Sequence, residues 1–471
     1  MSSEVGSMAD ANPFGRPVHL ALDPGFRPAA LEHRAFAAAA SSDVVDVWLA
    51  VEQPGGSVAH QRTTVHPEGH RDAAPSYRLC ERLLKFLLWS RGGSRIYVDG
   101  PAALVDWLRR YYAEDPRGRF DAATMGPTVY GRPFELVAVP HGEFPAERES
   151  MSRLGRHLDG CRIGFDLGAS DRKVAAVMDG EVRFSDEVRW DPVGQDDPQW
   201  HFDQIMDSLR RAAAHLPRVD AIGGSAAGVY VDNEVRIASL FRSVPRELFE
   251  TRVRSLFRDL RRAWGDVPFV VVNDGDVTAL AGAMMAGVGS MLGIAMGSSE
   301  AVGYVTPDGM LTSWLNELAF APVDYAPDAP VDEWSGDRGV GALYFSQQAL
   351  QRLLPRAGIE VEPSVPLPDR LVMLQQLMAE EDPRACRIYD AIGQHLGYAL
   401  LHYATFYVVD NVLLLGRVMS GPGGDRIVDG ARQVLRLEDP SLAERVAIRV
   451  PSERDKRHGQ AVAAASLPAI E

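Results

Sequence analysis

Two short segments share a pattern able to hold phosphate. Ile163-Gly-Phe-Asp-Leu-Gly-Ala-Ser170 and Leu292-Gly-Ile-Ala-Met-Gly-Ser-Ser299 align without gaps, each an apolar run closing on a Gly-small-Ser loop. The same offset separates Asp179-Gly180 from Asp308-Gly309, and an Asp-Gly pair is the usual chemistry of a tight hairpin turn. Glycine lets a loop backbone approach a phosphate closely, and the following serine can donate a hydrogen bond to it. Gly168, Ser170, Gly297, Ser298 and Ser299 are therefore candidate phosphate-binding residues. Either loop alone would read as an ordinary buried hairpin; two copies in one register predict a duplicated half-domain facing a cleft. No Gly-x-x-x-x-Gly-Lys-Ser/Thr segment occurs, which argues against a P-loop.

Carboxylates accompany the loops. Asp166 precedes the first, with Lys173 just beyond it, and Asn273-Asp274 stands between the two copies. An Asn-Asp pair ahead of Val277-Thr-Ala-Leu would also serve as a helix N-cap. For Lys173, a solvated strand lysine is the plain alternative to a phosphate-facing cation.

The elements that must carry these groups form an α/β pattern. Strand-like runs at 162–167, 173–178 and 181–185 lead into helical stretches at 204–215, 247–264 and 276–286, with strands at 220–223 and 267–272 between them. Ahead of this, 44–51 and 57–65 read as strands around Gln53-Pro-Gly-Gly56, followed by a helix at 77–89, a strand at 95–98 and a helix at 102–112. The segment 140–156 mixes proline, glycine and charge, which places a boundary there. The division expected is a loose tail over 1–16, an accessory α/β or α+β domain over 17–150, a first lobe over 151–290 completed by a C-terminal helix over 450–471, and a second lobe over 291–449.

Bulk properties narrow the function classes. The chain has 471 residues, 64 acidic against 49 basic, and a net charge of −15, which gives no general attraction to nucleic acid or anionic membrane. Its three cysteines are too few and too scattered for a disulfide framework or a cysteine zinc site, and fit a reducing, cytoplasmic setting. The uncharged stretch 277–299 is interrupted by glycines and reads as helix, turn and strand rather than a membrane span.

The motifs resemble the actin/hexokinase/Hsp70 superfamily and, within it, the ROK family of sugar kinases and regulators. Asp166-Leu-Gly-Ala-Ser170 with Lys173 resembles the family's first phosphate motif, and Met296-Gly-Ser-Ser-Glu-Ala-Val-Gly303 its second. The resemblance implies a two-lobed actin-like (ribonuclease H-like) fold from about residue 162 to the C-terminus. It implies ATP and Mg²⁺ as cofactors, Asp166 as the magnesium-holding carboxylate, and Asp274 as the base that accepts the proton of an attacking hydroxyl. Asn316-Glu317-Leu-Ala-Phe320 is similar to the family's sugar-binding Gly-Glu-Ile-Gly-His segment, implying Glu317, with Asn273, as substrate-binding residues; Phe320 replaces the histidine. The run 408–421 resembles the adenosine-binding strand and loop, implying contacts at Gly416 and Gly421. Ser335 and Val340 stand where cysteines would hold zinc, so no structural zinc is expected.

The function implied is phosphorylation of a hydroxyl on a sugar or sugar-like polyol. ATP and that small molecule are the expected partners, without nucleic acid or membrane, and a homodimer stays open. The rival readings are a ROK-like sensor that has lost turnover, suggested by Glu300 beside the second loop, and an ATPase that drives conformational change. The accessory domain has no counterpart in the family's common kinases; it could extend the acceptor pocket, join subunits or bind a partner.

Overall fold

In the computed structural model, residues 18–39, 43–149, 154–451 and 453–470 are described; the tail expected over 1–16 lies outside them. The N-terminal unit is built on a mixed sheet. β1 (Val45–Glu52) and β2 (Val58–Val65) form an antiparallel hairpin around the expected turn, β3 (Arg95–Asp99) runs antiparallel to β1, and β4 (Glu135–Ala138) runs parallel to β3. Val47, Leu49 and Val51 alternate inward with almost no exposure, as a period of two requires. The helix Ala73–Arg91 is buried along nearly its whole length. Its side chains join one apolar core with those of the second lobe, from Leu84 and Phe86 to Ile294, Tyr344 and Leu396.

The first lobe holds a meander of β5 (Cys161–Leu167), β6 (Asp171–Met178) and β7 (Glu181–Arg189). β8 (Ala221–Ala226) adds parallel to β5, a small hairpin of β9 (Val229–Val231) and β10 (Glu234–Ile237) follows, and β11 (Phe269–Asn273) adds parallel to β8. The helix expected over 247–264 is interrupted: it is regular only over Leu256–Ala263, after a π-type turn at Phe249–Val253. There the Arg254 carbonyl accepts the amide of Val235 from β10.

The second lobe repeats the pattern. β12 (Met291–Met296) and β13 (Glu300–Val305) form the hairpin, and β14 (Asn411–Leu415) and β15 (Ala447–Arg449) extend the sheet in parallel, in the order β13-β12-β14-β15. This matches β6-β5-β8-β11 in the first lobe, so the duplication is structural. The copies differ by one residue in pairing: Leu167 faces Arg172 in the first hairpin, whereas Met296 faces Glu300 in the second.

The stretch 277–299 is helix, turn and strand, with Gly287 capping the helix Asp274–Ala286 in the left-handed region. Among the described residues no helix is long and apolar enough to cross a membrane. The helix Glu453–Ala465 returns to the first-lobe sheet. It lies so close that a Cβ at Gly164 or Gly223 would run into the backbone at Ala461 or Ala464.

Candidate functional site

The helix Asp274–Ala286 connects the two lobes and starts where β11 ends. Asn273 is its N-cap: the Oδ1 atom accepts from the Gly275 amide at 2.7 Å. Asp274 is therefore the first helical residue, and its carboxyl is not needed for the cap. Burial and then the charge of Asp166 raise the Asp274 pKa to about 6, with amides at the helix start pulling the other way.

Asp166, at the end of β5, accepts from Ser225 Oγ at 2.6 Å. Lys173 Nζ lies 3.5 Å from its other oxygen and 3.2 Å from Asp171. Burial raises the Asp166 pKa against the opposing pull of Lys173 and Ser225. Lys173 thus points inward to two carboxylates instead of standing solvated on its strand. It lines a cavity of about 320 Å³ between the lobes, together with Thr278, Met285, Leu415, Gly416 and Ser420. Gly416 has φ +99°, and a Cβ there would strike the Met296 backbone at the end of β12, so the close approach demands glycine.

A second cavity has a volume of about 470 Å³. Asn273, Asp276 and Glu317 line it, with Trp314 and Tyr230 among its aromatic walls. Asn273 Nδ2 donates to the Gly228 carbonyl at 2.7 Å and approaches Glu317 Oε1 at 3.4 Å. Burial first, then Asp274 and Asp276, push Glu317 up to about 8. Asp276, likewise buried, is raised to about 7 while accepting from Asn316 Nδ2 at 3.0 Å. Asp276 had not been singled out in the sequence, because an acid in the first turn of a helix reads as an ordinary complement to the helix dipole.

The N-terminal unit builds one wall of this cavity through Gln53, Pro54, Gly55 and Tyr130. It also supports the segment carrying Glu317. The amides of Leu315, Asn316 and Glu317 donate to the last three carbonyls of the helix Ala73–Arg91, groups that a helix end otherwise leaves unmet. Phe320 packs on Trp89 and Trp334, with centroids 4.8 and 4.6 Å away. Ser335 bonds to Asp332, and Asp337 takes Arg82 and Lys85 from the N-terminal unit, so this cysteine-free loop is held by buried ion pairs.

Other candidates lie apart from the two cavities. Gly168, Ser170, Gly297, Ser298, Ser299 and Gly421 line neither one, and nor do Asp166 and Asp274, whose neighbours Lys173 and Asn273 do. Ser298 and Ser299 stand exposed at their loop, and Ser170 Oγ donates to Asp171 at 2.9 Å. Glu300, which faces Met296 across the tighter second hairpin, is turned into the protein interior beside Gly341. Neither of its oxygens has a hydrogen-bond partner of good geometry; Tyr403 is the one hydroxyl near enough to lower its pKa in part. Burial and then Glu317 raise Glu300 to about 8, which keeps it neutral at pH 7.

The donor set fits a nucleotide with magnesium. Asp166 offers a single carboxylate, which together with phosphate oxygens is a common way to bind Mg²⁺. The cavity beside Lys173 combines an apolar wall for a base with a cation for phosphate.

No protein-family model matches the chain, and no curated protein does. Solved structures do. A ROK hexokinase from Thermus thermophilus is 19% identical with a TM-score of 0.51, over 65% of this chain and 96% of that one. A ROK family transcriptional regulator, described as a homolog of the E. coli MLC protein, is 18% identical with a TM-score of 0.52, over 65% of this chain and 78% of that one. The chain therefore has the two-lobed, actin-like ATPase fold of the ROK proteins, preceded by an N-terminal unit that shares the core of the second lobe.

Proposed function

We propose that the protein is an ATP-dependent kinase that phosphorylates a hydroxyl of a sugar or sugar-like polyol. The observation that carries this reading is the position of Asp274. Asn273, the residue before it, lines the second cavity, and Asp166, which pairs with Lys173 of the first, is near enough to raise the Asp274 pKa. A base between a phosphate site and a hydroxyl site is the arrangement phosphoryl transfer needs.

ATP with Mg²⁺ supplies the phosphoryl group when bound, with Asp166 holding the metal and Lys173 beside it. The protein's own task is positioning and proton transfer. Asp274, ionised above about pH 6, takes the proton of the acceptor hydroxyl. Asn273 and Glu317 orient the acceptor: Glu317, neutral at pH 7, donates as well as accepts. Glu300 does not oppose phosphate, being inward and uncharged. Ser170, Ser298 and Ser299, exposed on the two loops, would donate to phosphate oxygens.

A second reading is a ligand sensor without turnover, since the fold is shared with a ROK transcriptional regulator as well as with sugar kinases. Purified protein with ATP, Mg²⁺ and a panel of hexoses, amino sugars and cyclitols separates the two. Acceptor-dependent ADP release supports the kinase; acceptor binding with no ADP release across the panel refutes it in favour of the sensor.

A further inference from the structure

A third cavity, about 270 Å³, lies where the N-terminal unit meets the second lobe. Its floor is Arg91, the last residue of the helix Ala73–Arg91 and 7% exposed. The guanidinium carbon sits 3.5 Å from the ring centroid of Trp314 and 4.6 Å from that of Tyr407, so the group is clamped flat by aromatic faces. One nitrogen donates to the Phe406 carbonyl, while Nη1 is buried without a hydrogen-bond partner. Among the described residues no carboxylate lies within ion-pair distance of Arg91; the hydroxyls of Tyr407 and Tyr304 favour its charge, and after them Glu149 on the exposed rim. Burial accordingly lowers the Arg91 pKa. His60 lines the same cavity, and its Nε2 is also buried and unpartnered.

A buried cation without a counter-ion costs several kcal/mol, and an unmet donor adds to this. Two buried nitrogens without hydrogen-bond partners, on side chains that line one aromatic-walled cavity, are the complement of an anion. We propose that this cavity binds a small molecule bearing one compact anionic group, a phosphate monoester or a carboxylate, with Arg91 Nη1 and His60 Nε2 on the anion and Trp314, Tyr304 and Phe406 around its body. On the rim Glu147 and Glu149 outnumber Arg148, which disfavours ligands of higher charge. Gln53 and Trp314 line both this cavity and the one that holds Glu317, so the two occupants share a wall. The binding site itself does not depend on the kinase reading.

The test is isothermal titration of the full chain with inorganic phosphate and, separately, a hexose 6-phosphate, using wild type, Arg91→Met, His60→Ala and Lys173→Met. Binding of at least one probe by wild type is expected, weakened about tenfold or more in Arg91→Met, as loss of a charge-assisted hydrogen bond predicts. His60→Ala is expected to weaken it severalfold and Lys173→Met to leave it unchanged. Tighter binding of the hexose phosphate identifies an organic ligand; equal binding identifies free phosphate. No binding by wild type at millimolar probe overturns the proposal. So does full affinity in Arg91→Met, or loss in Lys173→Met with Arg91→Met unaffected. Should Arg91→Met fail to fold, unchanged affinity in His60→Ala overturns it alone.

Discussion

The backbone amide of Glu317 donates to the carbonyl oxygen of Trp89 at 3.0 Å. Glu317 belongs to the second lobe and lines the cavity beside Asn273, whereas Trp89 lies in the last turn of a helix of the N-terminal unit. The position of Glu317 is thus set by the N-terminal unit. Lys85 and Arg82, on the same helix, reach 2.7 and 2.9 Å from Asp337 with all three side chains almost wholly buried. The unit is joined to the second lobe by a common apolar core, a backbone ladder and an ion-pair network.

Asp337→Asn is expected to destabilise the protein by about 3–5 kcal/mol, because it leaves two buried cations short of charge. Burial alone would raise the Asp337 pKa, but Arg82 and Lys85 outweigh it and hold the group well below the usual carboxylate range. A depressed folded-state pKa contributes stability above the unfolded value and loses it as pH falls below about 4. Urea unfolding at pH 7 checks the first statement, and the same measurement at pH 4 and pH 3 checks the second. A midpoint in Asp337→Asn equal to wild type at pH 7 would refute the first.

Asp274→Asn is expected to lower acceptor-dependent turnover by about 10²–10⁴-fold, the usual share of a general base. Nucleotide affinity should change little, since Asp274 does not line the Lys173 cavity. Turnover and nucleotide binding measured on one preparation separate loss of chemistry from loss of fold. Near-wild-type turnover would remove Asp274 from the mechanism.

The pH profile follows from two acids with opposite needs. Asp274 must be ionised to accept a proton, so turnover should rise as pH passes about 6. Glu317 is useful neutral, and on ionising near pH 8 it adds a charge beside Asp274 and Asp276. Acceptor affinity should therefore fall above about pH 8, giving a bell-shaped kcat/KM. In Glu317→Gln the alkaline limb should disappear while the acid limb stays, and persistence of both limbs would contradict the assignment.

Much of this was legible in the sequence where a local pattern carried it. The two loops share residue types at a fixed offset, and the sheet orders β6-β5-β8-β11 and β13-β12-β14-β15 are the duplication they implied. Asn273-Asp274 was ambiguous between cap and chemistry because both need the same residue types at a helix start; the structure gives the cap to Asn273. Glu300 stands beside the second loop in the sequence, but a gapless alignment does not reveal that β13 pairs one residue tighter than β6. A one-residue slip changes which face a side chain occupies. The support of Glu317 by Trp89 was invisible for a different reason: no periodicity reports a backbone contact between distant segments.

The N-terminal wall of the second cavity should tune which acceptor is used. Tyr130→Ala is expected to change acceptor KM or preference severalfold while leaving the nucleotide KM unaltered, because Tyr130 lines the Glu317 cavity and not the Lys173 one. One extra contact in an apolar pocket typically discriminates by about 10–200-fold, so a shift toward the low end suits a single wall residue. An unaltered ranking of acceptors across a sugar panel would show that the wall does not touch the substrate.

Gly416 offers the sharpest test of the nucleotide cavity. Its φ of +99° lies in a region that side-chain-bearing residues avoid, and the Met296 backbone fills the space a Cβ would take. Gly416→Ala must therefore either strain the loop, at about 1–3 kcal/mol, or push Gly416 away from β12. Because Gly416 and Lys173 line one cavity, the second outcome widens the space between base and phosphate subsites. The expected result is nucleotide affinity reduced about tenfold, with acceptor affinity intact and a modest drop in melting temperature. Reduced melting temperature with unchanged nucleotide affinity would assign Gly416 to packing against Met296 alone.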